Sequence, residues 1–406
     1  MMTAIRPENP LTNRLAGKLF MRAAGLLAAV LMLIGRWTPF GRKDVSVLLQ
    51  PRFWLLALLV FLACSIVMGG RRRRHGAVKM DGMFLFGSTA AFLFFAMASI
   101  LWSPDIAASL PKWLDLLFLL ATLAVFRFFQ TACGGFDFAD AFWGGLLLAA
   151  TALALVTLAT GSLAHGDRLN VLGGGPNIFG RIMGLLCIAA LAFSLSRRRK
   201  PALILFAVGV LLVVLSGSRG ALLAAVAGCM TLLIVGHIRW RKVLVAFLVI
   251  AGFTGAGLLL TPLGRRAQDV FRQRWLQLTI AERHDSGRSG IYAAALDLGR
   301  KSPLFGVGLN AFAIRSGFPY PHNVFLEIFV EGGAVGLVLF LVMLGAVSRA
   351  FWRHRDMLHP ASAAAFALVF TACQFSGDLY DSRGLFLLPV LAVVTEKVGL
   401  PARENE

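Results

Sequence analysis

This sequence is short of the residue patterns on which soluble metal- and nucleotide-dependent catalysts are built. It contains no Asp-x-Asp pair and no His-Glu-x-x-His. Nor does it carry a nucleotide-binding glycine fingerprint, or a serine or cysteine set near a plausible base. Soluble nucleotide-sugar chemistry is thereby disfavoured. Cysteines number five. Cys64, Cys187, Cys229 and Cys373 fall within apolar runs and Cys133 in a predicted loop, so neither a disulfide framework nor a zinc pattern emerges. The two halves of the chain show no likeness to each other, which argues against a transporter built from internal repeats with broken helices at the membrane midplane.

What is there instead is apolar. Hydrophobic residues make up 58% of the chain and the mean hydropathy is +0.76, a composition that describes an all-α polytopic membrane protein and no soluble domain. A helix needs roughly 20 residues at about 1.5 Å each to cross the hydrocarbon core. On that basis the apolar runs predict about twelve spans, near 19–35, 53–69, 82–102, 113–129, 140–160, 180–195, 201–216, 220–236, 243–261, 323–349, 360–378 and 384–398. The first run lacks a small-residue cleavage site and precedes many others, so it reads as a retained helix. The whole chain, 1–406, is expected to form a single membrane domain.

Orientation follows from the basic clusters. Arg71 to Arg74, Arg197 to Lys200, Arg239 to Lys242 and Arg353 to Arg355 all follow even-numbered spans, which places both termini in the cytoplasm by the positive-inside rule. Trp102, Trp113, Trp240 and Trp352 sit at span ends, as interfacial anchors do. One connection is long. Residues 262–322, between spans 9 and 10, are expected to form a large outer loop with nine basic and four acidic residues, a net charge of about +5. Such loops escape the positive-inside bias, and an anionic partner would account for the excess. Phe271, Trp275 and Leu278 recur there at helical spacing, which suits a helix lying on the membrane face. A second helix is predicted after Ser286, with Ile291, Ala295 and Leu298 on one face, an Asp297/Lys301 pair, and Pro303 past its end.

Three side chains on the outer side stand where a span meets a loop. His322 lies in Pro321-His322-Asn323, directly before span 10, where Glu327 and Glu331 share one helix face. A carboxylate near a span end needs a partner, so Glu327 is expected to join an ion pair or to orient a neighbouring cation. Arg219 sits in the tight turn Ser216-Gly217-Ser218-Arg219-Gly220, where a short hairpin restrains a phosphate-binding fork. Arg288, in Ser286-Gly287-Arg288-Ser289-Gly290, opens a helix whose N-terminus already favours an anion. The segment from Arg168 through three glycines to Asn177 and Arg181 forms another outer turn, and Arg265 and Arg266 open the long loop. In the loop Asp378–Arg383 a local Asp381/Arg383 pair is the simplest expectation. Cations with an imidazole at a membrane surface suit a lipid-linked diphosphate. A sugar leaving a diphosphate already has a good leaving group, so the paired carboxylates of a glycosidase are not required. Arginines can stabilise the developing charge in place of a metal. A histidine can take the proton of the incoming hydroxyl.

Ser-Gly-Ser-Arg-Gly-Ala-Leu-Leu at 216–223, Gly-Arg-Ser-Gly-Ile-Tyr-Ala-Ala-Ala-Leu at 287–296, Pro303-Leu304-Phe305-Gly306-Val307-Gly308, and Pro321-His322-Asn323 through Glu331-Gly332-Gly333 resemble motifs of the O-antigen ligase and polymerase superfamily. The likeness by motif covers about residues 165–340. It implies a membrane glycosyltransferase of the C type in the bacterial inner membrane, with its catalytic site facing the periplasm. Under it, Arg219 and Arg288 bind the diphosphate and His322 activates the acceptor hydroxyl. No metal and no cofactor is implied. The implied partners are an undecaprenyl-diphosphate-linked glycan, a lipid A-core acceptor and membrane lipids, with no nucleic acid. Arg168, Asn177, Arg181, Arg265, Arg266 and Glu327 are candidate substrate-binding residues. A ligase is favoured, because one dominant outer loop and about 400 residues suit it. A repeat-unit polymerase on the same carrier is the alternative, and a flippase or transporter a more distant one.

Overall fold

The computed structural model describes residues 10–37, 49–68, 80–133, 135–160, 175–197, 201–237, 268–269, 272 and 288–393. Among these the regular elements are helices, and extended pairing is confined to one isolated bridge between Leu358 and Val393. The helices are α1 (Pro10–Ile34), α2 (Pro51–Met68), α3 (Met80–Ala98), α4 (Ile106–Cys133), α5 (Gly135–Thr160), α6 (Gly175–Arg197), α7 (Ala202–Leu215), α8 (Arg219–Val235), α9 (Arg288–Lys301), α10 (Ala311–Ser316), α11 (Val324–Arg353), α12 (Pro360–Ala372) and α13 (Gly384–Ala392). Among the described residues seven stretches are long and apolar enough to cross a membrane, in α1 to α6 and α11. The helices α7, α8 and α12 are apolar but shorter. Eleven of the twelve predicted spans thus coincide with a helix. The predicted span 243–261 and the amphipathic stretch around Phe271 and Trp275 lie outside the described residues. Cys133 closes α4 where a loop was expected.

In lipid, helices gain little from hydrophobicity against one another, so their contacts depend on close approach at small residues. Two such crossings organise this bundle. Gly25 of α1 lies so near Ala141 of α5 that an added Cβ would stand 2.3 Å from its backbone carbon, and Gly145 meets Leu26 in the same way. Gly184 of α6 and Gly228 of α8 likewise receive Leu368 of α12. A continuous apolar core joins these helices, with Trp143, Phe126, Phe179 and Phe386 all fully buried.

Charge collects at the two ends of the bundle. At one end Asp81, which opens α3, faces Arg349 (3.2 Å), Arg353 (3.3 Å) and His354 (3.4 Å) at the close of α11. Nearby, His359 caps α12 and reaches Asp140 of α5 at 3.3 Å. The opposite end holds the candidate site.

Between the ends, α11 breaks. Gly333 has φ 62° and ψ −158° inside the helix, which frees backbone groups on both sides of it. The loop that follows α9 supplies their partners. Pro303 and Leu304 carbonyls accept from the N–H groups of Ala334 (2.8 Å) and Val335 (3.0 Å), while Val307 and Gly308 donate to the carbonyls of Val330 (2.8 Å) and Glu331 (3.2 Å). Buried backbone groups need such partners, so the kink and the loop require each other. The same loop is tied to the turn before α4, where Trp102 Nε1 donates to the Phe305 carbonyl (3.1 Å) and Ser103 and Ser109 hydroxyls donate to the Leu309 carbonyl. Helix α9 then lies along α11, with Ile291, Ala295 and Leu298 buried beside Val330 and Leu326. These are the face residues expected from sequence. The expected Asp297/Lys301 pair is replaced by Asp297 with Arg300 at 3.5 Å, both exposed, since residues three apart are equally close neighbours on a helix.

Candidate functional site

His322 owes its position to its two neighbours. Asn323 caps α11, its side-chain oxygen accepting from Phe325 N–H (3.0 Å) and Leu326 N–H (3.1 Å). Pro321 stiffens the approach, and His322 between them adopts φ +60°, a left-handed backbone uncommon for a residue with a Cβ. Its ring is half-buried and meets the Tyr320 ring edge-on, with centroids 4.6 Å apart. Nδ1 is buried without a hydrogen-bond partner among the described residues. Burial, then the charge of Arg288, then that of Arg181 lower the pKa of this imidazole below its ordinary 6.5. At neutral pH it is therefore an uncharged base in the field of two guanidinium groups.

Arg288 is the first residue of α9. Gly299, farther along α9, packs against Phe329 of α11. From that contact α9 runs back beside α11 toward the latter's start, which carries Arg288 to the His322 end. Arg181 arrives from another direction. It projects from α6, is 7% exposed, and donates from Nη2 to the carbonyls of Ala372 (3.1 Å) and Ser376. Its Nη1 is buried and has no partner among the described residues. Asn177, one helical turn earlier on α6, donates to Ser376 Oγ (2.9 Å), and the Tyr320 hydroxyl bonds the same side chain. Burial and the carboxylate of Asp381 push the Tyr320 phenol up, so it remains protonated near neutral pH.

Arg219 opens α8, with Ser218 as cap. Ser218 Oγ accepts from Ala221 N–H (3.2 Å) and Gly217 turns at φ +60°. This turn is set into the same layer: Ser216 and Ala221 press on Gly180, beside Arg181, and Phe375 presses on Gly220. Arg219 and Arg181 thus flank one segment, residues 372–377.

The connection from Cys373 to Arg383 is the part that sequence reasoning undervalued. It holds Arg181 and Asn177 as described, and the start of α11 through Val324 N–H to the Cys373 carbonyl (3.1 Å) and Asn323 Nδ2 to Gln374 Oε1 (3.2 Å). Its own anchorage is ionic. Arg36, just past α1, lies 2.7 Å from Asp378, 2.7 Å from Asp115 and 3.5 Å from Asp381, and Arg52 of α2 reaches Asp115 at 2.6 Å. The expected Asp381/Arg383 pair does not form: Asp381 faces Arg36, and Arg383 donates to the carbonyls of Met32 and Tyr380. At Asp381 a long-range guanidinium, Arg36, displaces the local one, because the bundle brings the end of α1 against this connection while Arg383 turns to the Met32 carbonyl.

Glu327 is 1% exposed. Its Oε1 accepts from Lys112 Nζ (2.6 Å) and from Leu379 N–H (3.3 Å), while both oxygens of Glu331 accept from the same lysine at 2.8 Å. Here Glu327 joins a buried ion cluster that braces the site from below. Lys112, Asp115, Arg36 and Tyr320 were not singled out from sequence, although a lysine and an aspartate three residues apart at the start of an apolar run are a visible signal. Arg168, Arg265 and Arg266 lie outside the described residues. Among the described residues there is no group of three or more His, Cys, Asp or Glu side chains able to hold a metal ion.

Residues 202–341, about a third of the chain, match the family model described as O-antigen ligase. The matched stretch contains Arg219, Arg288, His322 and Glu327, and it supports the O-antigen ligase superfamily for this chain. No curated protein matches the sequence.

Proposed function

We propose that this protein transfers a glycan from undecaprenyl diphosphate to a sugar hydroxyl of lipid A-core at the periplasmic face of the bacterial inner membrane, without a metal ion and with inversion at the anomeric carbon. The observation that carries this reading is His322, held neutral beside Arg288 and Arg181 at one end of a membrane bundle. In the reaction His322 takes the proton of the acceptor hydroxyl as its oxygen bonds the anomeric carbon. The bond from that carbon to the diphosphate oxygen breaks on the opposite side. Undecaprenyl diphosphate leaves with the electron pair, its growing negative charge stabilised by Arg219 and Arg288. Guanidinium forks match phosphate oxygens in pairs, which suits them to this task better than lysine.

The test is reconstitution of the purified protein with undecaprenyl-diphosphate glycan and lipid A-core in excess chelator, with the products resolved by mass spectrometry. Glycan on lipid A-core is the expected product. Lengthening of the carrier-linked chain would replace the ligase with a repeat-unit polymerase, and no product with either acceptor would overturn the glycosyltransferase reading.

A further inference from the structure

Arg36 stands apart from the residues just assigned. It belongs to the end of α1, outside the stretch matched by the family, and makes no contact with His322, Arg219 or Arg288 among the described interactions. Yet it is the cation on which three carboxylates converge: Asp115 of α4, and Asp378 and Asp381 of the connection between α12 and α13. Its guanidinium also lies over the Tyr380 ring, 4.9 Å from the centroid.

The geometry of that connection gives Arg36 a consequence at the site. Ser376, two residues before Asp378, carries Arg181, Asn177 and Tyr320. Gly377, between them, turns at φ +81° and is so confined that an added Cβ would stand 2.9 Å from Asp381 Cβ and 3.0 Å from Arg181 Nη1. Asp381 is therefore close to two guanidinium groups, Arg36 on one side and Arg181 on the other. Arg181 adds to burial and Arg288 in disfavouring the protonated form of His322.

We propose that Arg36 is a positioning residue for His322. By drawing Asp378 and Asp381 to itself, it leaves the charge of Arg181 directed at the imidazole, and it fixes the backbone that seats Arg181 and Tyr320. Without Arg36 the two aspartates lose their nearest counter-charge and Asp381 turns to Arg181, removing that guanidinium's share of the field at His322 while burial and Arg288 remain. The groups facing His322 are then Tyr320 from its own loop, Arg288 from α9, and an Arg181 neutralised by Asp381. A role in catalysis rests on the glycosyltransferase reading above; the electrostatic role does not.

The experiment titrates His322 by NMR in full-length protein labelled at histidine and embedded in nanodiscs, with the His322 signal assigned by its loss in His322→Ala. No substrate is needed, so the outcome is independent of whether transfer is the right activity. In the unaltered protein His322 is expected to titrate below 6.5. Arg36→Gln should move that midpoint upward by roughly 0.5 or more, as loss of a neighbouring positive field does. Arg36→Lys should restore most of the shift. Arg52→Gln disturbs Asp115 in the same ionic cluster without touching Asp378 or Asp381, and should leave the midpoint in place. An unchanged His322 midpoint in folded Arg36→Gln overturns the proposal, and so does an equal shift in Arg52→Gln, which would mark a general loosening. If Arg36→Gln does not fold, Asp381→Asn reads the same coupling from the other side. It should lower the His322 midpoint, since Arg181 loses its carboxylate neighbour, and an unchanged or raised midpoint overturns the proposal.

Discussion

Gly306 occupies the side-chain space of Gly333, and the turn just before Gly333 occupies that of Gly306. A Cβ on Gly333 would lie 2.5 Å from the Gly306 nitrogen, and a Cβ on Gly306 would lie 2.4 Å from the Glu331 carbonyl carbon. Both collisions are with backbone, so no rotamer change relieves them, and both residues have positive φ. The loop after α9 and the kink of α11 are thus one structural unit, which holds Arg288 at a fixed offset from His322.

Gly333→Ala should accordingly destabilise the protein by about 2 kcal/mol or more, since a residue with a Cβ pays for the left-handed backbone in addition to the clash. Thermal unfolding followed by size-exclusion chromatography would measure it. Gly345→Ala, on the same helix with open space around it, should be neutral or slightly stabilising. Equal behaviour of the two variants would show that the kink tolerates a side chain.

Lys112 is shared by Glu327 and Glu331. Lys112→Met leaves two buried carboxylates without a cation, and the expected loss is about 3–5 kcal/mol, the cost of breaking a buried ion pair. Adding Glu327→Gln and Glu331→Gln to that variant should recover much of the loss. A Lys112→Met protein with an unaltered unfolding temperature would show the cluster to be neutralised by other means.

For His322 the sign of the pH effect follows from its surroundings. Burial, Arg288 and Arg181 all disfavour the imidazolium, so the base stays competent as pH falls until a midpoint below 6.5 is reached, and transfer should decline only there. Arg288→Gln removes one of these charges, and the acidic limb should move up toward 6.5. His322→Ala should lower the rate by about 10²- to 10⁴-fold, the usual worth of a positioned general base. A pH–rate profile flat through this range would remove His322 from the base role.

Arg219→Lys and Arg288→Lys keep charge at each position and lose the two-pronged geometry. Each is expected to lower transfer by at least about tenfold while leaving insertion and expression intact, because one lost charge-assisted hydrogen bond is worth about 1.5–3 kcal/mol. Transfer rates with saturating donor would test this, in excess chelator, where full activity is expected of the unaltered protein. Near-normal rates for either lysine variant would mark that arginine as a surface cation.

Much of the molecule was open to reading along the chain. Lipid demands internally satisfied backbone and apolar side chains over a set length, so spans declare themselves by composition alone. The face Ile291, Ala295 and Leu298 showed itself by helical spacing, and Glu327 and Glu331 announced a need for a counter-charge by standing near a span end. Their partner did not follow from the pattern. Lys112 is 215 residues away from Glu327 in sequence, and although its spacing to Asp115 is visible, nothing local names the carboxylates of α11 as its partners.

The sequence by itself determined the helical membrane class and the order of the short motifs that set arginine and histidine at span ends. Those depend on composition, periodicity and near neighbours. Tertiary structure alone decided that the 303–308 motif exists to satisfy the kink at Gly333, that Arg181 stands with Arg288 beside His322, and that Arg36 holds Asp378 and Asp381 in place of a local pair. Each of these is a contact between segments far apart in the chain, selected by where helices cross and which buried charges must be matched, and neither condition is written in any one stretch of residues.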